Sequence, residues 1–305
     1  MIKSTLGNTG LEISQLGIGL AEIGYLELDD NGLKQAGLLL NTALDLGINF
    51  FDTAECYENS ETIVGKVVKD RRQEYILATK CGHLIEDYGG DEYANWSKDG
   101  IQTSIERSLL RLQTDYVDLI QLHSPLLDIL KKGEAIEELE KLKKEGKTRF
   151  IGCSGDNDVA LWAAKSGVFD TIQTSFSITD QLARKQLFQY TKQHNLGLIA
   201  KRPIANAAWG AVTSPSEYAN EYFERAKTLL KLGPVVDSPD DRFVLSIGFV
   251  LGHEEINTAI IGTTNSEHLI ENVKVIENKL PISNSTILDL HRRFDNEGKN
   301  WKQLT

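Results

Sequence analysis

The residues with the clearest chemical potential gather in Asn49-Phe-Phe-Asp52-Thr-Ala-Glu-Cys-Tyr57, an apolar run that stops at an aspartate and meets a tyrosine five residues later. A carboxylate at the end of a buried strand is costly unless a cation or hydrogen-bond donors meet it. Two further apolar runs end on suitable groups: Ile76-Leu-Ala-Thr-Lys80 and Asp118-Leu-Ile-Gln-Leu-His123. An ammonium beside a phenol lowers the phenol's pKa from about 10 toward neutrality, and a carboxylate paired to the ammonium keeps it charged. Tyr57 is then placed to donate a proton, with His123 orienting a carbonyl oxygen through a ring N–H. Proton donation to a developing alkoxide implies a hydride arriving on the carbon, and hence a nicotinamide. The set contains no good covalent nucleophile, and it lacks the ligands of a metal site, His83 and His123 being the only histidines near this face.

Each residue also has a second reading. Asp52 could cap the next helix, Tyr57 could fill the core, Lys80 could snorkel, His123 could be a satisfied core histidine and Ser154 a helix cap. What separates the readings is whether the chain brings these residues to one place.

The pattern of the chain bears on that. Short apolar runs alternate with amphipathic stretches of helical length. The strand candidates are 15–19, 48–51, 75–79, 116–122, 148–152, 171–174, 196–200 and 258–261; helix candidates lie near 30–45, 60–69, 98–112, 133–144, 158–165, 182–193, 242–251 and 266–275. Strict alternation implies parallel strands joined by crossover helices. Eight units without a G-x-G-x-x-G fingerprint fit a closed (β/α)8 TIM barrel, one domain over residues 1–305, better than an open dinucleotide-binding sheet. Gly7-Asn-Thr-Gly10 marks a hairpin ahead of it, and residues 203–241 form a long irregular stretch after the seventh strand. After Pro281 a last helix and a polar tail are expected over one end of the barrel. Strand C-termini share one face of such a barrel, so Asp52, Lys80, His123, Ser154 and Gln173 should all open on one cavity.

A net charge of -11 argues against binding nucleic acid or an anionic membrane, since either would be repelled. The three cysteines, without a C-x-x-C pair, suggest buried thiols in a reducing compartment. With no signal-like N-terminus and no long apolar run, a cytoplasmic protein is the default.

At this point the sequence resembles the aldo-keto reductases over most of its length. The resemblance is carried by Leu6-Gly-Asn-Thr-Gly-Leu-Glu-Ile-Ser14, residues 49–65, Ala78-Thr-Lys80, residues 116–123, Phe150-Ile-Gly-Cys-Ser154 and residues 260–272. It implies a catalytic tetrad of Asp52, Tyr57, Lys80 and His123, and NADPH, or NADH in some members, as cofactor. Ser154 and Gln173 would hold the nicotinamide carboxamide, and Glu271 with Asn272 would meet the adenine. Gly262 and Thr264, opening the last helix of the barrel, would lie near the adenosine phosphate, with the loop after strand seven closing over the pyrophosphate. The implied substrate is a small aldehyde, ketone or sugar, or the corresponding alcohol. The sequence departs from the family pattern in three places. Gly155 follows Ser154 where asparagine is usual, leaving Asn157 as a substitute contact. Lys201-Arg202 stands where an aromatic usually precedes Ser-Pro-Leu, and His268 replaces an arginine that many members direct at the 2'-phosphate. Pocket walls are expected from residues 21–26, residues 82–96 with Trp96, and Trp209. A regulatory subunit sensing redox state through bound nicotinamide is the alternative from another class, and a barrel lyase or isomerase a third.

Overall fold

The computed structural model describes residues 1–82 and 96–304. A hairpin, β1 (Lys3–Thr5) and β2 (Glu12–Ser14), precedes eight parallel strands: β3 (Leu16–Gly19), β4 (Phe50–Asp52), β5 (Ile76–Cys81), β6 (Val117–His123), β7 (Thr148–Ser154), β8 (Thr171–Ser175), β9 (Gly197–Lys201) and β10 (Thr258–Gly262). Each pairs with its neighbours in chain order, and β10 pairs with both β9 and β3 to close the barrel.

Strand alternation sorts the side chains by destination. Phe50, Ala78, Leu119 and Ile199 form an apolar cluster with Leu6, Leu11 and Ile13 of the hairpin segment. That cluster is the barrel interior, and the hairpin plugs its lower end. Phe51, Leu77, Ile120 and Leu122 belong instead to the large cluster shared with the helices. Two residues further along the inward positions, Asp52, Lys80 and Gln121 replace the apolar layer with a buried polar one.

The helices on the outside are α1 (Asp30–Asp45), α2 (Ser60–Val67), α3 (Lys98–Leu112), α4 (Leu127–Lys132), α5 (Glu134–Lys144), α6 (Asn157–Ser166), α7 (Leu182–Gln186), α8 (Phe188–His194), α9 (Asn220–Leu230), α10 (Arg242–Leu251), α11 (Ser266–Lys279) and α12 (Asn284–Glu297). The helix expected over 182–193 is two, broken at Leu187. The irregular stretch 203–241 contains α9, which buries Tyr222, Arg225, Ala226 and Leu229.

Beyond α12 the tail crosses the open end of the barrel. Gln303 exchanges three hydrogen bonds with Asn157 and donates to Thr174 Oγ1 at 2.9 Å and to the Ser175 carbonyl at 2.7 Å. Leu304 N–H donates to Asp180 Oδ2 at 3.0 Å. Burial pushes the Asp180 carboxyl up to about 8, against the lowering effect of that hydrogen bond. A carboxyl whose folded pKa is raised contributes stability that is complete below its unfolded pKa and is lost as pH rises through the folded one. Asp180 should therefore erode stability between pH 3.8 and about 8. Asp180→Asn keeps an acceptor for Leu304 and removes the titration. Its melting temperature relative to wild type should rise through that window and level off above it. A difference that stays constant from pH 4 to 8 in thermal melts would refute this.

Candidate active site

Asp52 ends β4 and Lys80 is the penultimate residue of the neighbouring β5. The Lys80 ammonium donates to Asp52 Oδ2 at 2.6 Å and to the Thr53 carbonyl at 2.9 Å, with the two side chains only 1% and 2% exposed. The other Asp52 oxygen accepts from Gln121 Nε2 at 3.2 Å and Gln173 Nε2 at 2.8 Å. Gly152 makes the Gln121 approach feasible, since a Cβ there would lie 2.4 Å from Thr171 Oγ1 and 3.1 Å from Gln121 Cγ. Four strands thus contribute to one buried ion pair.

Tyr57 hangs over it. The Lys80 ammonium is 3.4 Å from the phenol oxygen and 4.9 Å from the ring centroid. The loop that carries the tyrosine is clamped from behind: Glu55 is bonded by Ser104 and Arg107, and Arg111 donates to the Glu55 carbonyl at 3.1 Å. From the other side Gly24 packs so closely that a Cβ would lie 2.3 Å from the Tyr57 carbonyl oxygen. The His123 ring meets the Tyr57 ring edge-on, with centroids 5.7 Å apart. Asp52, Tyr57, Lys80 and His123 are therefore brought together as expected.

The electrostatics differ from the sequence reading. Burial raises the Tyr57 phenol above its ordinary 10, and Lys80, pulling the other way, does not overcome it. The phenol is held protonated rather than acidified. Burial alone would push the Lys80 ammonium down, but Asp52 and Tyr57 together hold it above its usual value.

Asp52, Tyr57 and His123 line a cavity of about 730 Å³, with Lys80 buried behind them. Its wall continues through Ser154, Gln173, Lys201, Arg202, Asn206 and Gly262. Ser154 Oγ donates to Gln173 Oε1 at 2.9 Å, so the two form one polar unit beside Asp52. Lys201 is drawn toward Asp156, 3.0 Å away, and Arg202 is held by Ser175 Oγ, Tyr222 OH and the Leu304 carbonyl. Asn157, the proposed substitute for the usual asparagine, is engaged by Gln303 instead. Gly262 and Thr264 do not open α11: Gly262 ends β10, and Asn265 caps the helix through Glu267 N–H. Thr264, His268, Glu271 and Asn272 lie outside the cavity wall, with His268 and Glu271 exposed on α11. Trp209 is a core residue, and Trp96 packs over Gly82. His83 and most of the expected pocket segment 82–96 lie outside the described residues.

Three contributors escaped the sequence reading. Gln121 was findable, because it shares the inward face of β6 with His123 two residues on. Asn206, whose Nδ2 is buried and has no partner among the described residues, sits in a stretch with no strand or helix signal. Gln303 makes its contacts 146 residues away in sequence. Asn206, Lys201 and Arg202 share the cavity wall with the Glu22 carboxylate, whose oxygens lie 2.2 and 2.3 Å from where a Cβ on Gly262 would sit.

Known proteins resemble the chain in sequence and fold. The chain is 30% identical to L-galactose dehydrogenase of Arabidopsis thaliana, over 89% of this chain and 86% of that protein. It is 27% identical to the NADH-specific methylglyoxal reductase of Escherichia coli (strain K12), over 94% and 97%. Among solved structures, the holo form of aldo-keto reductase AKR11C1 from Bacillus halodurans matches with a TM-score of 0.80 and 28% identity, covering 96% of both chains. The model of the aldo/keto reductase family matches residues 15–293, and the chain belongs to that family.

Proposed function

We propose that the protein is a cytoplasmic NAD(P)H-dependent reductase of aldehyde, ketone or sugar carbonyls, working in the reverse direction on the alcohols. The observation that carries this reading is the stack of Asp52, Lys80 and Tyr57, which holds a protonated phenol over a buried ammonium at the floor of the cavity. A bound nicotinamide supplies the hydride. Ser154 and Gln173 would hold its carboxamide, while Arg202, Lys201 and Asn206 would meet the phosphates. In the reading that NADPH is the cofactor, His268 meets the 2'-phosphate, with Glu271 and Asn272 near the adenine.

The chain's own work is proton transfer. His123 orients the carbonyl oxygen, and Tyr57 gives up its proton to the alkoxide that forms. The phenolate left behind faces the Lys80 ammonium, whose charge Asp52 keeps in place. That attraction exists only once the proton has moved, so it lowers the barrier rather than tightening ground-state binding. Tyr25 and Tyr218 add aromatic faces to the cavity wall beside the polar residues.

Turnover of an aldehyde, ketone and sugar panel, followed at the nicotinamide absorbance band, tests the reading. Tyr57→Phe should cost about 10²–10⁴-fold in kcat, the usual worth of a general acid. Undiminished turnover by that variant would sink the assignment. Because the phenol titrates above 10, reduction should be insensitive to pH from neutrality to that point, while oxidation, which needs the phenolate, should accelerate tenfold per pH unit over the same range. Fluorescence titration with NADPH and NADH tests the cation assignments. Arg202→Ala should weaken both cofactors by about 10-fold or more, the worth of a charged hydrogen bond, and His268→Ala should weaken NADPH alone. If neither variant changes either affinity, the phosphate contacts lie elsewhere.

A further inference from the structure

Gln121 is completely buried and points inward from β6, where strand pairing sets it beside Lys80 of β5 on one side and Gly152 of β7 on the other. Its Nε2 donates to Asp52 Oδ1 at 3.2 Å, the oxygen that Gln173 also meets, while Asp52 Oδ2 is taken by Lys80. The amide can face Asp52 only this way round, because the reverse orientation would set a carbonyl oxygen against a carboxylate. Its own carbonyl, Oε1, is buried and finds no partner among the described residues. Half of the amide is left unsatisfied, a cost that an apolar side chain of similar size would avoid. The half that is satisfied serves Asp52.

The two amide donors differ in what else they touch. Gln173 lines the cavity and its Oε1 accepts from Ser154, so it belongs to the surface expected to meet the cofactor. Gln121 lies behind the cavity wall, and its side chain makes no other hydrogen bond among the described residues. We propose that Gln121 is a positioning residue for the proton transfer: its amide fixes the Asp52 carboxylate so that Oδ2 holds the Lys80 ammonium beneath the Tyr57 oxygen, whether or not Gln173 is engaged by the nicotinamide. This rests on the carbonyl-reductase reading for its consequence. Gln121 touches neither substrate nor cofactor and acts through Asp52 and Lys80. Loss of its donor frees the carboxylate to turn and the ammonium to follow it, away from where the phenolate charge appears.

The test combines kinetics with a ¹H–¹⁵N spectrum of the ammonium groups in the full chain labelled at lysine. Gln121→Met nearly keeps the volume and removes the donor. It should lower kcat for carbonyl reduction about ten-fold, the lower end for a hydrogen bond to a charged group since Gln173 still reaches the same oxygen, with the KM for cofactor unchanged. It should also shift the Lys80 signal, identified by its loss in Lys80→Met. Gln121→Glu supplies the rescue: burial and the adjacent carboxylate raise the new carboxyl, which at neutral pH keeps its proton and donates to Asp52. Most of the rate and the wild-type Lys80 signal should return. Full kcat in Gln121→Met, or a Lys80 signal that does not move in it, would overturn the proposal, as would Gln121→Glu being no faster than Gln121→Met. If Gln121→Met does not fold, Gln121→Asn, whose amide stops short of Asp52, gives the same comparison. The spectrum requires no turnover, so a chain that reduced no carbonyl would defeat the functional reading, whereas an unmoved Lys80 signal would defeat the role of Gln121.

Discussion

The structure depends on one buried ion pair. Lys80 and Asp52 meet at 2.6 Å with almost no exposure, where taking two charges out of water costs several kcal/mol each, as an order of magnitude. Their mutual attraction offsets this only if the remaining polar atoms are satisfied. Thr53 supplies a carbonyl to the ammonium, and Gln121 and Gln173 supply amide donors to the carboxylate. Well-packed apolar side chains would fill the same space without that demand. A polar layer this elaborate is therefore better understood through what it supports, the phenol of Tyr57, than as a source of stability.

The short segment from Asp52 to Glu61 shows how the support is built. Three of its four carboxylates are buried and go in three directions, while Glu58 is exposed. Asp52 points into the barrel, Glu55 is bonded to Ser104 and Arg107 on α3, and Glu61 accepts from Thr79 at 2.6 Å behind β5. Arg111 reaches both the Glu55 carbonyl and, at 3.6 Å, the Glu61 carboxylate. Burial pushes Glu61 up to about 6, with Thr79, Ser108 and Arg111 pulling against it. The loop bearing Tyr57 is thereby pinned to the barrel at one end and to the helix layer at the other. Such fixing of a reacting group by surrounding hydrogen bonds is what preorganisation requires.

The parts legible in the sequence follow from periodicity. All eight barrel strands and the bounds of α1, α3 and α10 can be read from alternating apolar runs and helical spacing, because burial on both faces leaves that imprint. Seven of the eight strands, β4 to β10, run one or two residues beyond their expected ends, since polar residues such as Lys80, His123 and Ser154 look like stops when they are inward positions of a strand. The helix α9 is masked by the Ser- and Pro-rich residues before it, although Tyr222, Ala226 and Leu229 carry its spacing. The four tetrad positions are legible from type and place. The phenol's raised pKa is not, because sequence shows the neighbouring cation but not the depth of burial opposing it. The tail contacts are likewise invisible, as nothing local in Gln303 or Leu304 signals Asn157, Asp180 or Arg202.

The protonation pattern gives the cavity a direction. Burial raises the Tyr57 phenol and the Cys56 thiol, while Asp52 and Tyr57 hold the Lys80 ammonium above its ordinary value despite burial. At neutral pH all three keep their protons. A site in this state can give a proton without first acquiring one. In the proposed reduction, the charge that appears when Tyr57 loses its proton lies beside an ammonium that is already paired and cannot drift away. The reverse oxidation must first lose the phenol proton to solvent, whereas reduction starts from the protonated form that burial keeps in place. The same desolvation opposes the phenolate in both directions, and the paired Lys80 ammonium is what offsets it when the proton leaves.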